Sequence, residues 1–150
     1  MHLELAIEIK RVDVDMIKPL RHAELRKGQN FSATSYFRDN EESTFHLAAM
    51  LDQKVVTCAT FYPEKSKKLN AINPYRLRGM ATDSSFQRKG YARKLITTAF
   101  IELKTQGADF IWCNARLVAL DFYKSVGFKI KGRLFDIEII GPHYYMYKEI

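Results

Sequence analysis

Short runs rich in apolar residues recur along the chain and predict strands, whereas longer segments with apolar residues three or four positions apart predict helices. In the first run, Leu3 to Arg11, apolar and polar residues alternate, as in a strand with one buried face. The dipeptide Asp52-Gln53 separates two such runs and predicts an antiparallel hairpin. The further predicted strands are Thr44 to Leu51, Lys54 to Tyr62, Tyr75 to Thr82, Phe110 to Cys113, one near Phe128 to Arg133, and His143 to Lys148.

Three helices are predicted from the spacing of apolar residues and from their end signals. The first is capped by Asp13 or Asp15 and ends near Lys27-Gly28, and residues 29 to 42 after it are expected to form a loop or a short helix. The second runs from about Lys89 to Gln106 and the third from about Leu117 to Val126, with Gly107 and Gly127 as their stops. The residues expected to face the core are Ile17, Leu20, Leu25, Leu95, Ile96, Ala99, Phe100 and Leu103.

The order of these elements predicts the fold class. A length of 150 residues, without a repeat, a low-complexity tract or a linker, predicts one domain over residues 1–150. Antiparallel strands come first, and a strand–helix–strand unit follows them. That order predicts an α/β fold of the mixed α+β kind, in which a mixed sheet is flanked by helices.

Charge and composition limit the classes of binding partner that the protein is expected to have. The chain has 24 lysines and arginines against 17 aspartates and glutamates, a formal charge of +7, which favours an anionic partner. No aromatic-and-basic platform or zinc motif is present, so no nucleic acid is expected, and Lys65, Lys67 and Lys68 are interpreted as a solvated loop. Without a membrane-spanning run or a secretion signal, a cytoplasmic location and no membrane partner are expected. Cys58 and Cys113 are expected to be buried free thiols, and no metal site is expected.

The segment Gln87-Arg88-Lys89-Gly90-Tyr91-Ala92 is the strongest candidate for binding a phosphate group. Gly90 can adopt backbone angles that a side chain would forbid, so successive N–H groups can point at one anion. The helix that follows adds the positive end of its dipole. The pattern matches neither the P-loop nor the three-glycine dinucleotide fingerprint. The basic residues around it are Arg88, Lys89, Arg93 and Lys94.

Two motifs in a fixed order carry a family resemblance. Gln87 to Ala92 fits the pattern Gln/Arg-x-x-Gly-x-Gly/Ala, and Ala119-Leu120-Asp121-Phe122-Tyr123-Lys124-Ser125-Val126-Gly127-Phe128 follows it. Together they resemble the GNAT superfamily of acyl-CoA N-acyltransferases, from about residue 43 to the end of the chain. The resemblance implies a GNAT-type fold, with a central, mostly antiparallel sheet that contains a splayed pair of parallel strands and is flanked by helices.

Four further places look like the glyphosate N-acetyltransferase subgroup, which acetylates the amine of small acidic molecules. Residues 27 to 42 and 63 to 73 do not carry this likeness clearly. The matching segments are Leu20-Arg21-His22, Leu77 to Thr82, Trp112 to Arg116, and Gly141-Pro142-His143 followed by Met146-Tyr147-Lys148.

The resemblance implies acetyl-CoA as co-substrate and no metal. Its pantetheine arm is expected along the strand Arg78 to Thr82, and its pyrophosphate on the loop Gln87 to Ala92. Asn114 is expected either to contact the arm or a water, or simply to begin a turn. The cofactor-binding residues expected in this way are Met80, Ala81, Thr82, Gln87, Arg88, Lys89, Gly90, Tyr91, Ala92, Arg93 and Asn114.

An amine must lose a proton before it attacks a thioester, and the departing thiolate must gain one. His143 is the candidate base because imidazole titrates near neutrality, and the related subgroup has its base at the matching position. The alternative is a histidine that begins the last strand and only caps a hydrogen bond. Tyr123 is the candidate acid because a phenol keeps its proton at neutral pH, although its ring can equally belong to the core.

The candidate residues for binding the acceptor are Arg21, Arg78 and Arg116, together with His143. A guanidinium binds a carboxylate or phosphonate through two parallel hydrogen bonds, which lysine does not reproduce. Arg78 is expected to project to the same side of its strand as Met80. Each arginine could also be an ordinary surface residue.

These residues predict a cytosolic N-acetyltransferase, monomeric or homodimeric, that transfers acetyl from acetyl-CoA directly to the amine of a small acidic molecule. A second hypothesis within the superfamily replaces that acceptor by a protein N-terminus, a lysine, a polyamine or an aminoglycoside. Cationic acceptors would need an acidic cleft, for which Asp39, Glu41 and Glu42 are candidates. A third hypothesis is a domain that binds acyl-CoA without transferring anything, and it would not need Tyr123 or His143.

Overall fold

The computed structural model describes residues 6–150, so the predicted strand positions Leu3 and Leu5 lie outside the described residues. The strands are β1 Ile7–Val12, β2 Phe45–Leu51, β3 Lys54–Pro63, β4 Pro74–Thr82, β5 Phe110–Arg116, β6 Lys129–Ile130, β7 Phe135–Ile137 and β8 Gly141–Glu149. The α-helices are α1 Val14–Leu25, α2 Tyr91–Thr105 and α3 Leu120–Ser125. Short 3-10 helices cover Phe31–Thr34, Ser84–Phe86 and Leu117–Ala119.

The strands form one sheet in the order β1-β2-β3-β4-β5-β8-β6, and β7 pairs with β8. The β2–β3 hairpin is antiparallel, and Leu51 pairs with Lys54 across the turn, as the sequence predicts. Strands β4 and β5 are parallel. Their register covers Pro74–Arg76 against Phe110–Trp112 and stops there, although both strands continue. The predicted mixed sheet with a parallel pair and flanking helices is therefore confirmed.

The chain divides into two compact units. The first unit contains the residues up to Tyr62 together with Gly79–Ala99. Helix α1 packs its apolar side on strands β2 and β3 there, because apolar residues recur along one side of the helix. Burying each of the larger side chains contributes about 1.5 to 3 kcal/mol to stability. The core cluster comprises Val14, Ile17, Leu20, Ala48, Met50, Cys58 and Ala81.

The second unit contains Pro63–Arg78 and Phe100–Ile150 and is built on the antiparallel pair β5–β8. Side chains alternate between the two faces of a strand. One face of this pair therefore carries Trp112, Asn114 and Arg116 opposite Tyr147, Tyr145 and His143, respectively. The other face carries the buried residues Ile111, Cys113, Ala115 and Met146.

The observed elements differ from the predicted ones at several ends. Helix α1 ends at Leu25, two residues before the predicted stop, and Asp13 precedes it without a capping hydrogen bond from its side chain. The predicted third helix is split into a 3-10 turn and α3. The predicted strand near Phe128 to Arg133 is reduced to β6, and β7 was not predicted. Such short strands exist because β8 offers them a hydrogen-bonding edge, and a local apolar pattern does not show that edge.

Candidate active site

The loop before α2 has the backbone geometry predicted for an anion site in the first unit. Gly90 has φ +83°, and a Cβ built at this position would meet no atom within 4 Å. Open space therefore lies where a side chain would stand. Arg88 also has a positive φ, of 63°, so the chain reverses sharply just before the helix begins at Tyr91. The first N–H groups of α2 have no partners within the helix and can serve an anion.

The charges around this loop are mostly positive. Arg88, Lys89 and Arg93 are exposed, and among residues 6–150 no carboxylate lies within 4 Å of Arg88 or Lys89. The Asp83 carboxylate lies 3.5 Å from the Lys54 ammonium, which balances its charge. The Gln87 side chain donates to the Thr82 carbonyl at 3.4 Å and ties the loop to the end of β4. The first N–H groups of α2 and the basic side chains around the loop together suit a diphosphate.

Gly79 bends β4 directly after Arg78, with φ +64°. A Cβ built there would lie 3.0 Å from Cε2 of Tyr36 and 3.1 Å from Nε of Arg21. Only glycine fits this position, because both the backbone angle and the neighbouring atoms exclude a side chain. Met80, Ala81 and Thr82, the predicted contacts of the pantetheine arm, follow this bend immediately. Gly79 was not predicted to have a role of its own, although a glycine inside an otherwise regular strand is the usual signal of a bulge.

Arg21 is fully buried at 0 % exposure, at the centre of a polar network in the first unit. Its two terminal nitrogens donate to the Asp39 carboxylate at 2.8 and 2.9 Å, to the Thr34 carbonyl at 2.8 Å and to Thr60 Oγ1 at 2.6 Å. Its guanidinium also lies 3.9 Å from the centre of the Tyr36 ring. All four terminal N–H groups are thus committed, so these contacts favour a structural role over the predicted grip on an acceptor.

His143 and Arg116 are direct cross-strand partners in the second unit. The imidazole is buried, and its Nδ1 lies 2.7 Å from the Gly141 carbonyl oxygen. A carbonyl can only accept, so Nδ1 carries the hydrogen and Nε2 of the neutral ring holds the free electron pair. The ring is further held by Phe135, which stacks on it with a centroid distance of 6.0 Å. Phe135 was missed by the sequence analysis because it lies on the unpredicted strand β7.

Tyr123 lies on α3 and is buried, with 6 % of its surface exposed. Its ring packs edge-to-face on Phe122 and on Phe128. Burial, and to a smaller extent the Cys113 thiol, raises the pKa of the Tyr123 hydroxyl well above its ordinary value of 10. The hydroxyl is therefore protonated throughout the physiological range, which is the state that a proton donor needs.

The remaining predicted residues of the second unit lie on the His143 face of the sheet. Asn114 is half-buried and stands opposite Tyr145. Arg76 pairs with Trp112 in the parallel register, so Arg78, two residues further along β4, points to the same side as Trp112. The structure thus brings Arg78, Asn114, Arg116 and His143 onto one face of the second unit. Arg21 belongs to the first unit and to a different network.

Cys58 and Cys113 are free and buried, as predicted. Burial raises the pKa of the Cys58 thiol to about 12, and it also raises that of Cys113. Within residues 6–150 no group of three His, Cys, Asp or Glu side chains is placed to hold a metal ion. None of the helices in this part of the chain is long and apolar enough to span a bilayer.

Comparison with known proteins assigns the chain to one family. Residues 14–128 match the model of the acetyltransferase (GNAT) family, and the chain belongs to that family. It is 35 % identical over 144 residues to YitI, an uncharacterised N-acetyltransferase of Bacillus subtilis strain 168, and the match covers 96 % of this chain and 97 % of YitI. The activity is therefore that of an acyl-CoA-dependent N-acetyltransferase.

Solved structures show the same fold. One crystal structure is of a Lactobacillus plantarum protein assigned as an N-acetyltransferase. It superposes with a TM-score of 0.80 at 18 % identity, over 96 % of this chain and 98 % of that one. An aminoglycoside 6'-N-acetyltransferase in complex with coenzyme A superposes with a TM-score of 0.76 at 14 % identity, over 95 % and 96 % of the two chains. At such identities the likeness shows the fold and says nothing about the acceptor.

Proposed function

We propose that the protein transfers an acetyl group from acetyl-CoA to the amine of a small molecule that carries a carboxylate or phosphonate, as the resemblance to the glyphosate N-acetyltransferase subgroup suggests. The observation that carries this proposal is the cross-strand pair Arg116 and His143, which puts a cation suited to an acidic group next to a candidate base. A base alone would suit any amine, so the arginine beside it is what favours an acidic acceptor.

Residues of the first unit would hold the donor. The Gly90 turn, the first N–H groups of α2, and the exposed Arg88, Lys89 and Arg93 would bind the diphosphate of coenzyme A. The backbone groups of Met80 and Thr82 after the Gly79 bend would bind the pantetheine arm. When bound, acetyl-CoA supplies an acetyl group activated as a thioester.

His143 would accept the proton that the acceptor amine must lose. The Gly141 carbonyl fixes the hydrogen on Nδ1, so Nε2 is the atom that takes this proton. The Phe135 ring limits rotation of the imidazole. A base whose tautomer and orientation are both fixed loses little entropy when it engages the amine.

Tyr123 would return a proton to the sulfur that leaves. Its hydroxyl keeps its proton because burial raises its pKa. A buried donor also avoids competition from water for the same hydrogen bond. Its ring contacts with Phe122 and Phe128 would keep the hydroxyl in place.

The acceptor's acidic group would be bound by Arg116 and Arg78 on the His143 face. Arg21, with its terminal N–H groups committed to Asp39, Thr34 and Thr60, is left out of this grip. Two guanidiniums on one face can fix a planar or tetrahedral oxyanion from two directions.

A thiol-release assay tests the proposal, with acetyl-CoA as donor and a panel of amino acids, aminophosphonates, peptides, polyamines and aminoglycosides as acceptors. We expect turnover with acidic amines and little with the cationic acceptors. Activity confined to peptides, polyamines or aminoglycosides would refute the acidic acceptor while leaving the acetyltransferase activity intact.

The role of His143 is tested by His143→Asn, whose amide can still donate to the Gly141 carbonyl but has no basic nitrogen. We expect kcat to fall by about 100-fold or more. The acidic limb of the pH–rate profile should disappear in this variant. A variant that keeps the wild-type acidic limb would show that another group is the base.

A further inference from the structure

We propose that Lys68, in the loop between β3 and β4, is a specificity-determining residue that binds the acidic group of the acceptor. This inference rests on the proposed function and adds a residue to it. Neither the motifs nor the resemblance pointed to Lys68, which the sequence placed in a solvated basic loop. The side chain of Lys68 is exposed, and the loop is attached to the face of the second unit that carries His143.

Three contacts fasten the loop. The indole N–H of Trp112 donates to the Glu64 carbonyl at 2.9 Å, and the Tyr145 hydroxyl donates to Ser66 Oγ at 2.7 Å. The Lys131 ammonium donates to the backbone carbonyl of Lys68 itself. Trp112 and Tyr145 lie on the same face of β5–β8 as His143, and their rings stack with a centroid distance of 5.4 Å. The loop therefore lies over that face.

The backbone of Lys68 is held from both sides. Its N–H donates to Ser66 Oγ at 3.2 Å, the same hydroxyl that accepts from Tyr145. Its carbonyl accepts from Lys131. A lysine with its backbone fixed in this way loses less conformational freedom on binding a ligand than one on a mobile loop.

The Lys68 ammonium lies against the two aromatic neighbours of His143. It is 4.8 Å from the centre of the Tyr145 ring and 5.7 Å from the centre of the Phe135 ring. Phe135 is the cross-strand partner of His143 in β7, and Tyr145 follows His143 by two residues on the same face of β8. The ammonium is thus held beside the candidate base by two cation–π contacts.

The charge of Lys68 has no counter-ion among residues 6–150, because no carboxylate of that part of the chain lies within 4 Å of its ammonium. Arg76 on the neighbouring strand β4 differs, since it pairs with Glu64 at 3.1 Å. The cation–π contacts leave the hydrogen-bond donors of the ammonium available, since a ring face accepts only weakly. An ammonium that is positioned, exposed and without a counter-ion suits an anionic ligand.

Lysine would complement the arginines. The two arginines supply planar forks, and Lys68 supplies a compact charge whose three donors can turn toward a single oxygen. An acceptor with a free acidic group would gain from this third cation, whereas the matching amide would not.

The experiment compares Lys68→Met with Lys67→Met, a control that removes the same charge from the adjacent residue. Lys67 is exposed, and its side chain makes no hydrogen bond, ion pair or cation–π contact within residues 6–150. Steady-state rates are measured with an acidic amine, with its uncharged amide, and with acetyl-CoA as the varied substrate. We expect Lys68→Met to lower kcat/KM for the acidic amine by about tenfold, the effect of one charge-assisted hydrogen bond. The KM for acetyl-CoA and the rate with the amide should change less than twofold, and Lys68→Arg should recover part of the loss.

Equal losses in Lys68→Met and Lys67→Met, or equal losses with the acid and its amide, would overturn the role of Lys68. Such a result would leave the proposed function standing, because the wild type would still acetylate the acidic amine. If the wild type acetylates no acidic amine at all, the proposed acceptor and the role of Lys68 both fall. Thermal unfolding of each variant checks that the fold is unchanged.

Discussion

Two hydrogen bonds of 2.8 and 2.9 Å join the guanidinium of Arg21 to the carboxylate of Asp39, with side-chain exposures of 0 % and 2 %. The pair anchors the segment after α1, whose residues carry no clear helix or strand pattern. Thr34, Tyr36 and Asp39 of that segment all contact Arg21. Asp39 is consequently not available as part of an acidic cleft, which weakens the hypothesis of a cationic acceptor.

Replacing Asp39 by Asn should destabilise the protein by about 3 to 5 kcal/mol, because Arg21 would keep a buried charge without its counter-ion. The control is Glu41→Gln, which removes a carboxylate from the partly exposed pair with Arg38 and should cost less than about 1 kcal/mol. Urea unfolding measures both. Equal losses would show that the buried pair contributes no more than a surface one.

His46 should make stability depend on pH. Its Nδ1 lies 2.8 Å from Thr60 Oγ1, and its Nε2 lies 3.0 Å from the Asp39 carbonyl oxygen. Desolvation, together with the charge of Arg21, lowers the pKa of His46 below the ordinary 6.5. The unfolded chain therefore binds a proton more readily than the folded one, and stability should fall as the pH drops below 6.5. Urea midpoints at several pH values test this expectation. The same slope in His46→Gln would assign it to another group.

Asp39 should add a second loss of stability at lower pH. Desolvation, the largest influence, raises its pKa, but the hydrogen bonds from Arg21 and from the Tyr36 N–H, with the charges of Arg21 and His46, leave it below the ordinary 3.8. Stability from this carboxylate is present above pH 3.8 and should be lost as the pH falls through the lowered pKa. Acid titration of Asp39→Asn should lack this component.

Gly79→Ala should be more destabilising than Gly28→Ala. Both glycines have a positive φ, of +64° and +82°, so each substitution should cost about 1 to 2 kcal/mol of backbone strain. Only at Gly79 would the new Cβ also meet Tyr36 and Arg21, at 3.0 and 3.1 Å, which should add about 1 to 3 kcal/mol. Chemical unfolding of the two variants measures the difference. Indistinguishable losses would show that these neighbours move aside freely.

Gly90→Ala should raise the KM for acetyl-CoA by about tenfold, the equivalent of about 1.4 kcal/mol, because the new Cβ would occupy the open space offered to the diphosphate. Gly107→Ala is a matched control at the other end of α2, with φ +82° against +83°. Both variants carry the same strain, and only the first should affect the donor. An unchanged KM in Gly90→Ala would argue against this loop as the phosphate site.

Tyr123→Phe should lower kcat by about 100-fold if the hydroxyl is the proton donor. The ring contacts with Phe122 and Phe128 remain, so the unfolding midpoint should hardly change. Because the pKa of Tyr123 is raised above 10, any alkaline limb that depends on it should lie above pH 10. Wild-type kcat in this variant would reduce Tyr123 to a core residue.

Much of the fold could be predicted from the sequence because it depends on local patterns. Alternating or continuous apolar runs located most strands, and glycine with its flanking charges identified the Gly90 turn, whose φ of +83° agrees with the role expected of it. His143 and Arg116 could be named as candidate site residues, because imidazole is a common base and guanidinium a common ligand of acidic groups. Their direct pairing across β5 and β8 was not predicted, because it depends on the strand register.

The sequence by itself determined the order of elements, the mixed sheet and the glycine-containing turn before α2, because neighbouring residues encode periodicity and turn geometry. The tertiary structure alone decided which charged side chains are paired with each other in the interior and which are exposed. Arg21 and Asp39, which are eighteen positions apart, neutralise each other in the interior. Lys68 lies against Tyr145 and Phe135. The hydrogen bonds that hold its loop there join residues far apart in the sequence, namely Tyr145 with Ser66 and Lys131 with Lys68. The physical reason is that burial and charge pairing depend on the neighbours that folding brings together, and no local pattern specifies those neighbours.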